Sequence, residues 1–319
     1  MRIKYNIDWL IRKTVQENDP NRIVENIFDY QNVIRKRPDL DREIYGSNYC
    51  YGMSYILKRY SGYKKRIRCL IEHAPGLTNI GLTEYKSNIF DTLLVSSVQR
   101  KEFLSGYTDK KIFDIGPSIA YADKIYDDFN ISTIKKSFGK TLLLYPSHNV
   151  IDSDWEKDTE KFIAEAKKIV DEYHFDSVLV CMFYIDIQRG THLIYEKEGW
   201  NIVSAGQMVN YDFNDCMKTI ISLADMAMFQ TYSSAVGYCI YLNVPVFIFP
   251  FNYNDPGIRK KYATDVLKEI YGLFKDFSEE ISDKQKELCS YYFGYDSVKK
   301  SEELLGLFKS FEKNKLGKD

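Results

Sequence analysis

The chain has 319 residues, enough for two domains of ordinary size, each with its own core. Lys and Arg number 44 against 45 Asp and Glu, so the net charge of −1 gives no ground for a nucleic-acid partner. The six cysteines are scattered, with no CxxC pair; this argues against a disulfide framework or a zinc site and fits reduced thiols in a cytoplasmic protein.

The opening stretch, MRIKYNIDWLIRKTVQEND, is charged early but has no apolar core or cleavage signal, so it does not read as a secretory peptide. Residues 9–60 read as helical or irregular, rich in Tyr and Arg. RIRCLIEH (Arg66 to His73), TLLVSS (Thr92 to Ser97) and KKIFDIG (Lys110 to Gly116) predict strands, with a short helix at VQRKEFL. NISTIKKSFGK (Asn130 to Lys140) is polar enough to predict a linker.

The second half alternates more regularly. KTLLLYP, SVLVCMFY, WNIVSA, DMAMFQ and VPVFIF predict five strands, and the longest apolar run, Val178 to Ile185, is too short to span a bilayer. Between them, Trp155 to Tyr173 and Phe213 to Ala224 carry apolar residues at helical spacing, and Ser233 to Leu242 predicts another helix. Strands apolar on both faces, alternating with amphipathic helices, predict a parallel sheet covered on both sides, with ligands at the strands' carboxyl ends. The tail, Ser278 to Lys315, is charged and helical in pattern. These signals predict an α/β fold with residues 1–138 and 139–319 as two domains; the C-terminal helices are candidates to cross back to the first.

Candidate site residues lie at the ends of the strands. After DMAMFQ come Thr231, Ser233 and Ser234, three hydroxyls at the start of a helix, where unpaired backbone N–H groups favour a phosphate. The plain alternative is that one of them caps the helix. In YPSHN, Ser147 is a second polar contact, and His148 is placed to donate to a phosphate or protonate a leaving group. IEHAPG offers Glu72 or His73 as a general base, against a turn with a surface carboxylate beside it. Asp186 ends the SVLVCMFY strand region, and Gly206 permits close backbone approach; Asp186 could equally cap a turn.

Other signals fail. GKT at Gly139 to Thr141 has Ile134 where a P-loop needs its first glycine, and no GxGxxG occurs, so no dinucleotide cofactor is expected. No histidine pair has metal-ligand spacing, and no metal or other cofactor is expected.

The sequence blocks LLLYPSHN, VLVCMFYIDIQRG, GWNIVSAGQ and FNDCMKTIISLADMAMFQTYSSAVGYCIYLNVPVFIF, in that order, resemble bacterial glycosyltransferases of the GT-B fold. Within that fold the resemblance is to members associated with capsule and lipopolysaccharide assembly. It covers Lys140 to Phe249, and IEHAPG and DIGPSIAYA extend it weakly into the first half. Ser233-Ser234 matches the Ser-Ser element of bacterial sialyltransferases; their His-Pro element is matched only approximately, since Asn149 follows His148. CDP-glycerol-type polymerases use a histidine in a place comparable to His73. The lone DSD at Asp152 to Asp154 is similar to a metal-binding triplet of some glycosyltransferases but reads as a solvated loop.

The resemblance implies two Rossmann-like domains with parallel sheets facing a central cleft. It also implies a metal-independent sugar transfer from a nucleotide-sugar to a glycan or lipid-linked glycan acceptor. Peripheral contact with the cytoplasmic face of the inner membrane would suit such an acceptor. Two alternatives remain: a GT-B-like nucleotide-sugar epimerase, and a catalytically silent GT-B module acting as a scaffold.

Overall fold

A computed structural model describes residues 24–35, 43–73, 75, 84–147, 156–249 and 265–314. The fold is α/β, and the described residues form two sheets in which every strand pair is parallel. The chain divides into two compact units. One is drawn from Arg37–Ala122, Met208–Asn214 and Asp283–Asp319, the other from Met1–Lys36, Asp123–Gln207 and Asp215–Ser282.

The first unit holds β1 (Leu70–Ile71), β2 (Thr92–Val95) and β3 (Lys111–Asp114), in the order β1-β2-β3. The strand expected over Arg66 to His73 is paired only at Leu70 and Ile71. Side chains meet the stretch along its other edge. Asn48 donates to the Cys69 carbonyl at 2.8 Å and accepts from the Ile71 N–H at 2.9 Å, while Glu43 accepts from the Ile67 N–H at 2.8 Å. An edge strand whose free side is met by an asparagine has its polar groups satisfied without a further strand. Leu304, Phe308 and Phe311, from the helix Ser301–Ser310 and the turn after it, share a core with Met53, Ile56 and Leu57 of the helix Met53–Ser61.

The second unit holds β4 (Thr141–Tyr145), β5 (Ser177–Cys181), β6 (Asn201–Val203), β7 (Met226–Phe229) and β8 (Val246–Ile248). Their order is β6-β5-β4-β7-β8. β4, β7 and β8 are buried along their whole length, as the continuous apolar runs require of a sheet covered on both faces. From β4 the chain winds one way through β5 and β6, and β7 and β8 then lie on the other side. The order therefore reverses between β4 and β7, the place where a doubly wound sheet opens its crevice.

The segment read as a linker, Asn130 to Lys140, is instead mostly helix. Asp127 caps the helix Asp128–Phe138 by accepting from the Asn130 N–H at 2.7 Å, and Ile131, Ile134 and Phe138 form its buried face. Ser132, Lys136 and Ser137 are exposed, so the polar composition marks amphipathicity and not a break. Gly139 ends it with φ +66°, and a Cβ there would collide with Asp176, whose carboxylate accepts from the Lys140 N–H at 2.8 Å. The GKT sequence is thus a helix stop followed by a strand. Among the described residues no helix is long and apolar enough to cross a membrane.

Candidate functional site

Two groups of polar side chains stand at strand ends, one in each unit. In the β4–β8 unit the group lies at the reversal between β4 and β7. The ladder runs one step past the strands, with the Gln230 N–H donating to the Tyr145 carbonyl at 3.0 Å. The Gln230 side chain then turns back, and its Oε1 accepts from the Ser147 N–H at 3.0 Å. This brings the Ser147 Oγ to 2.7 Å from the Thr231 Oγ1. Gln230 is only 2% exposed, and its Nε2 has no hydrogen-bond partner among the described residues. The group thus offers two linked hydroxyls and an unspent amide donor.

The helix expected from Ser233 spans Ala235–Tyr241, with Ser234 already in helical conformation at its N-cap. Ser234 makes no side-chain cap bond, and the Ser233 Oγ accepts only a long 3.3 Å bond from the Ala235 N–H. Capping therefore accounts for little of what these two hydroxyls could do, since a good cap bonds the second or third helical N–H. Thr231, Ser233 and Ser234 are all half-buried. His148 lies outside the described residues, as do Asp152 and Asp154.

Asp186 sits in the first turn of the short helix Tyr184–Gln188, just beyond β5, and is buried. Burial first, and the Asp186 charge second, push the Tyr195 phenol up. Gly206 lies beyond β6 with φ +88°, and its N–H donates at 3.1 Å to Ser204, whose own hydroxyl donates to the Met182 carbonyl at 2.9 Å. The Ser204 bond ties the ends of β5 and β6. Among the described residues no three His, Cys, Asp or Glu side chains are grouped as a metal ion would require.

In the β1–β3 unit the group starts at β1. Glu72 stays in the ladder, donating its N–H to the Leu94 carbonyl at 2.9 Å. Its carboxylate meets Arg100, the Nε donating to Oε1 at 2.7 Å, with both side chains 2% exposed. Ser97 makes this partner available. It caps the helix Val98–Ser105 by accepting from the Arg100 N–H at 3.1 Å, which fixes Arg100 in the first turn. Burial pushes the Glu72 carboxyl up to about 7, against the pull of Arg100 in the other direction. Glu72 Oε2 has no hydrogen-bond partner among the described residues.

His73 follows with its side chain 27% exposed, and its Nδ1 meets the Glu84 Oε1, whose side chain is 1% exposed. The Tyr51 ring lies 5.9 Å away, centre to centre. The Glu84 hydrogen bond raises the His73 pKa, against the effect of burial. Sequence reasoning singled out neither Arg100 nor Glu84. Arg100 could have been found from the Ser97 cap signal before VQRKEF; Glu84, in GLTEYKS, carries no local signal. Of the two base candidates, Glu72 is buried against Arg100, and His73 is the more accessible.

No family model matches the chain, and neither does any curated protein. Among solved structures it is similar to the UDP-GlcNAc 2-epimerase of Methanocaldococcus jannaschii. A complex of that enzyme with UDP-GlcNAc and UDP matches with 14% identity and a TM-score of 0.43, over 77% of this chain and 68% of the other. Another structure of the enzyme matches at 14% identity with a TM-score of 0.38, over 69% and 62%. The wall teichoic acid polymerase TagF matches at 15% identity with a TM-score of 0.39, over 77% and 66%. The chain thus spans less than two thirds of the length of two of these structures.

Proposed function

We propose that the protein is a metal-independent glycosyltransferase that moves a sugar from a nucleotide-sugar to a bacterial surface glycan, as its resemblance to GT-B enzymes of capsule and lipopolysaccharide assembly implies. The observation that carries the reading is the Ser147–Thr231 hydroxyl pair, with Gln230 beneath it, at the point where the sheet order reverses between β4 and β7. That is where a doubly wound sheet receives a nucleotide. Thr231, Ser233, Ser234 and Ser147 would donate to the donor's phosphates, with Asp186 and Gly206 as further contacts. His148 would protonate or stabilise the departing phosphate, where negative charge develops in the transition state. His73 would take the proton of the acceptor hydroxyl. Glu72, in its pair with Arg100, would act through the field it sets around His73. A lipid-linked acceptor would bring the protein to the cytoplasmic face of the inner membrane.

The test is a thermal-shift panel of CMP, CDP, UDP, GDP and their sugars, followed by turnover of whichever donor binds. A ligand at 100 times its Kd stabilises the fold by ~2.7 kcal/mol, a readily measured shift. The expected outcome is slow release of nucleotide, accelerated by a glycan acceptor and unchanged by EDTA. Conversion of the free donor to its epimer without acceptor would replace this reading with an epimerase. No shift with any nucleotide would leave a scaffold module. Loss of turnover in EDTA with recovery in manganese would remove the metal-independent assignment.

A further inference from the structure

The His73–Glu84 pair carries an inference that rests on the proposed transfer and deepens it. Glu84 is 1% exposed at its side chain, whereas His73 is 27% exposed. The His73 ring is the hydrogen-bond partner of Glu84 Oε1, and Glu84 Oε2 has none among the described residues. A carboxylate drawn so far out of water is costly unless a donor compensates it, and here the imidazole is that donor. An imidazole nitrogen that donates to a carboxylate fixes the proton on that nitrogen and leaves the other as the basic one.

We propose that Glu84 is the positioning residue of His73: it accepts the Nδ1–H, holds the ring in that tautomer and leaves Nε2 as the base for an acceptor hydroxyl. In the transfer the hydroxyl proton goes to Nε2, and the oxygen's electron pair forms the new bond to the sugar carbon. The electron pair of the broken sugar–phosphate bond leaves with the nucleotide. The imidazolium that forms stays bonded to Glu84, which stabilises it as a buried carboxylate stabilises the histidine of a catalytic triad. Other titratable groups share the environment: Glu72 with its partner Arg100, and Cys50, whose thiol is pushed up by burial and then by Glu84. Tyr51 covers part of the ring.

The experiment is ring-nitrogen NMR on the full chain labelled at its four histidines, with the His73→Asn spectrum identifying the resonance. Neutral His73 is expected with Nδ1 protonated and Nε2 free. Glu84→Gln, which removes the charge and keeps the shape, is expected to lower the titration midpoint of His73 by about one pH unit or more. A wild-type ring protonated on Nε2 overturns the proposal without any variant, as does a midpoint that Glu84→Gln leaves in place. Neither readout needs a substrate. A protein that turned over no nucleotide-sugar would therefore overturn the proposed function while the dyad stood or fell on its own spectrum.

Discussion

At the scale of single residues, the hydroxyls after β7 can be tested by separating binding from stability. Ser234 makes no cap bond, and the Ser233 contact is long at 3.3 Å, so removing both should barely move the unfolding midpoint. If they receive a phosphate, each lost charge-assisted hydrogen bond is worth ~1.5–3 kcal/mol, and Ser233→Ala with Ser234→Ala should raise the nucleotide Kd at least tenfold. Calorimetry and a urea melt on the same preparation check this, and an unchanged Kd with a lowered midpoint would point to capping alone. Glu72 supports a second expectation. Its folded pKa, about 7, lies above its unfolded value, so the folded state binds the extra proton and stability should fall as pH rises from about 5 to 8. His73, also raised, adds a loss of the same sign through its own folded pKa. Glu72→Gln should flatten the slope in urea titrations across that range. A slope equal to wild type would show that Arg100 keeps the carboxylate ionised throughout.

The secondary-structure elements show why some of this was legible in sequence and some was not. β4, β7 and β8 are readable because a strand buried on both faces is written as a continuous apolar run, and β5 and β6, which start at less buried residues, keep shorter runs of the same kind. β1 was over-read, since the apolar run of RIRCLIEH is broken as a strand by side chains far away in sequence, Asn48 and Glu43. The helix Asp128–Phe138 was missed because its cap, Asp127, and its buried face were outweighed by the count of polar residues. Asn48→Ala should therefore act like a core mutation although it removes a polar side chain. It strips partners from two buried backbone groups at a cost of ~1–3 kcal/mol each, so urea unfolding should show a loss of ~2–6 kcal/mol. A loss under 1 kcal/mol would mean that water or a shifted backbone replaces both bonds.

At the scale of the whole chain, composition can mark a boundary only where the sequence changes character, whereas these units draw on several separated stretches. The helix Asp128–Phe138 belongs to the β4–β8 unit, and residues 283–319 are counted with β1–β3. The physical link is in the apolar spacing of the tail. Leu304, Phe308 and Phe311 are each at most 4% exposed, against a core built from Met53 to Ile71. Asn314 adds bonds to the Arg68 carbonyl and the Thr92 hydroxyl at 2.9 and 3.1 Å, and its own carbonyl accepts from the Arg68 Nε at 2.9 Å. Burying three such side chains is worth roughly 1.5–3 kcal/mol apiece, about as much as the whole stability of a small domain. A chain ending at Ser282 should thus lose the β1–β3 unit and keep the β4–β8 sheet, which has its own core around Leu142, Val180 and Met228. Amide hydrogen exchange on the truncated chain should show full exchange at Leu93 and Leu94 and retained protection at Leu143 and Ala227. If Leu93 and Leu94 stay protected to the wild-type degree, the tail is an accessory layer, and the core of that unit closes without it.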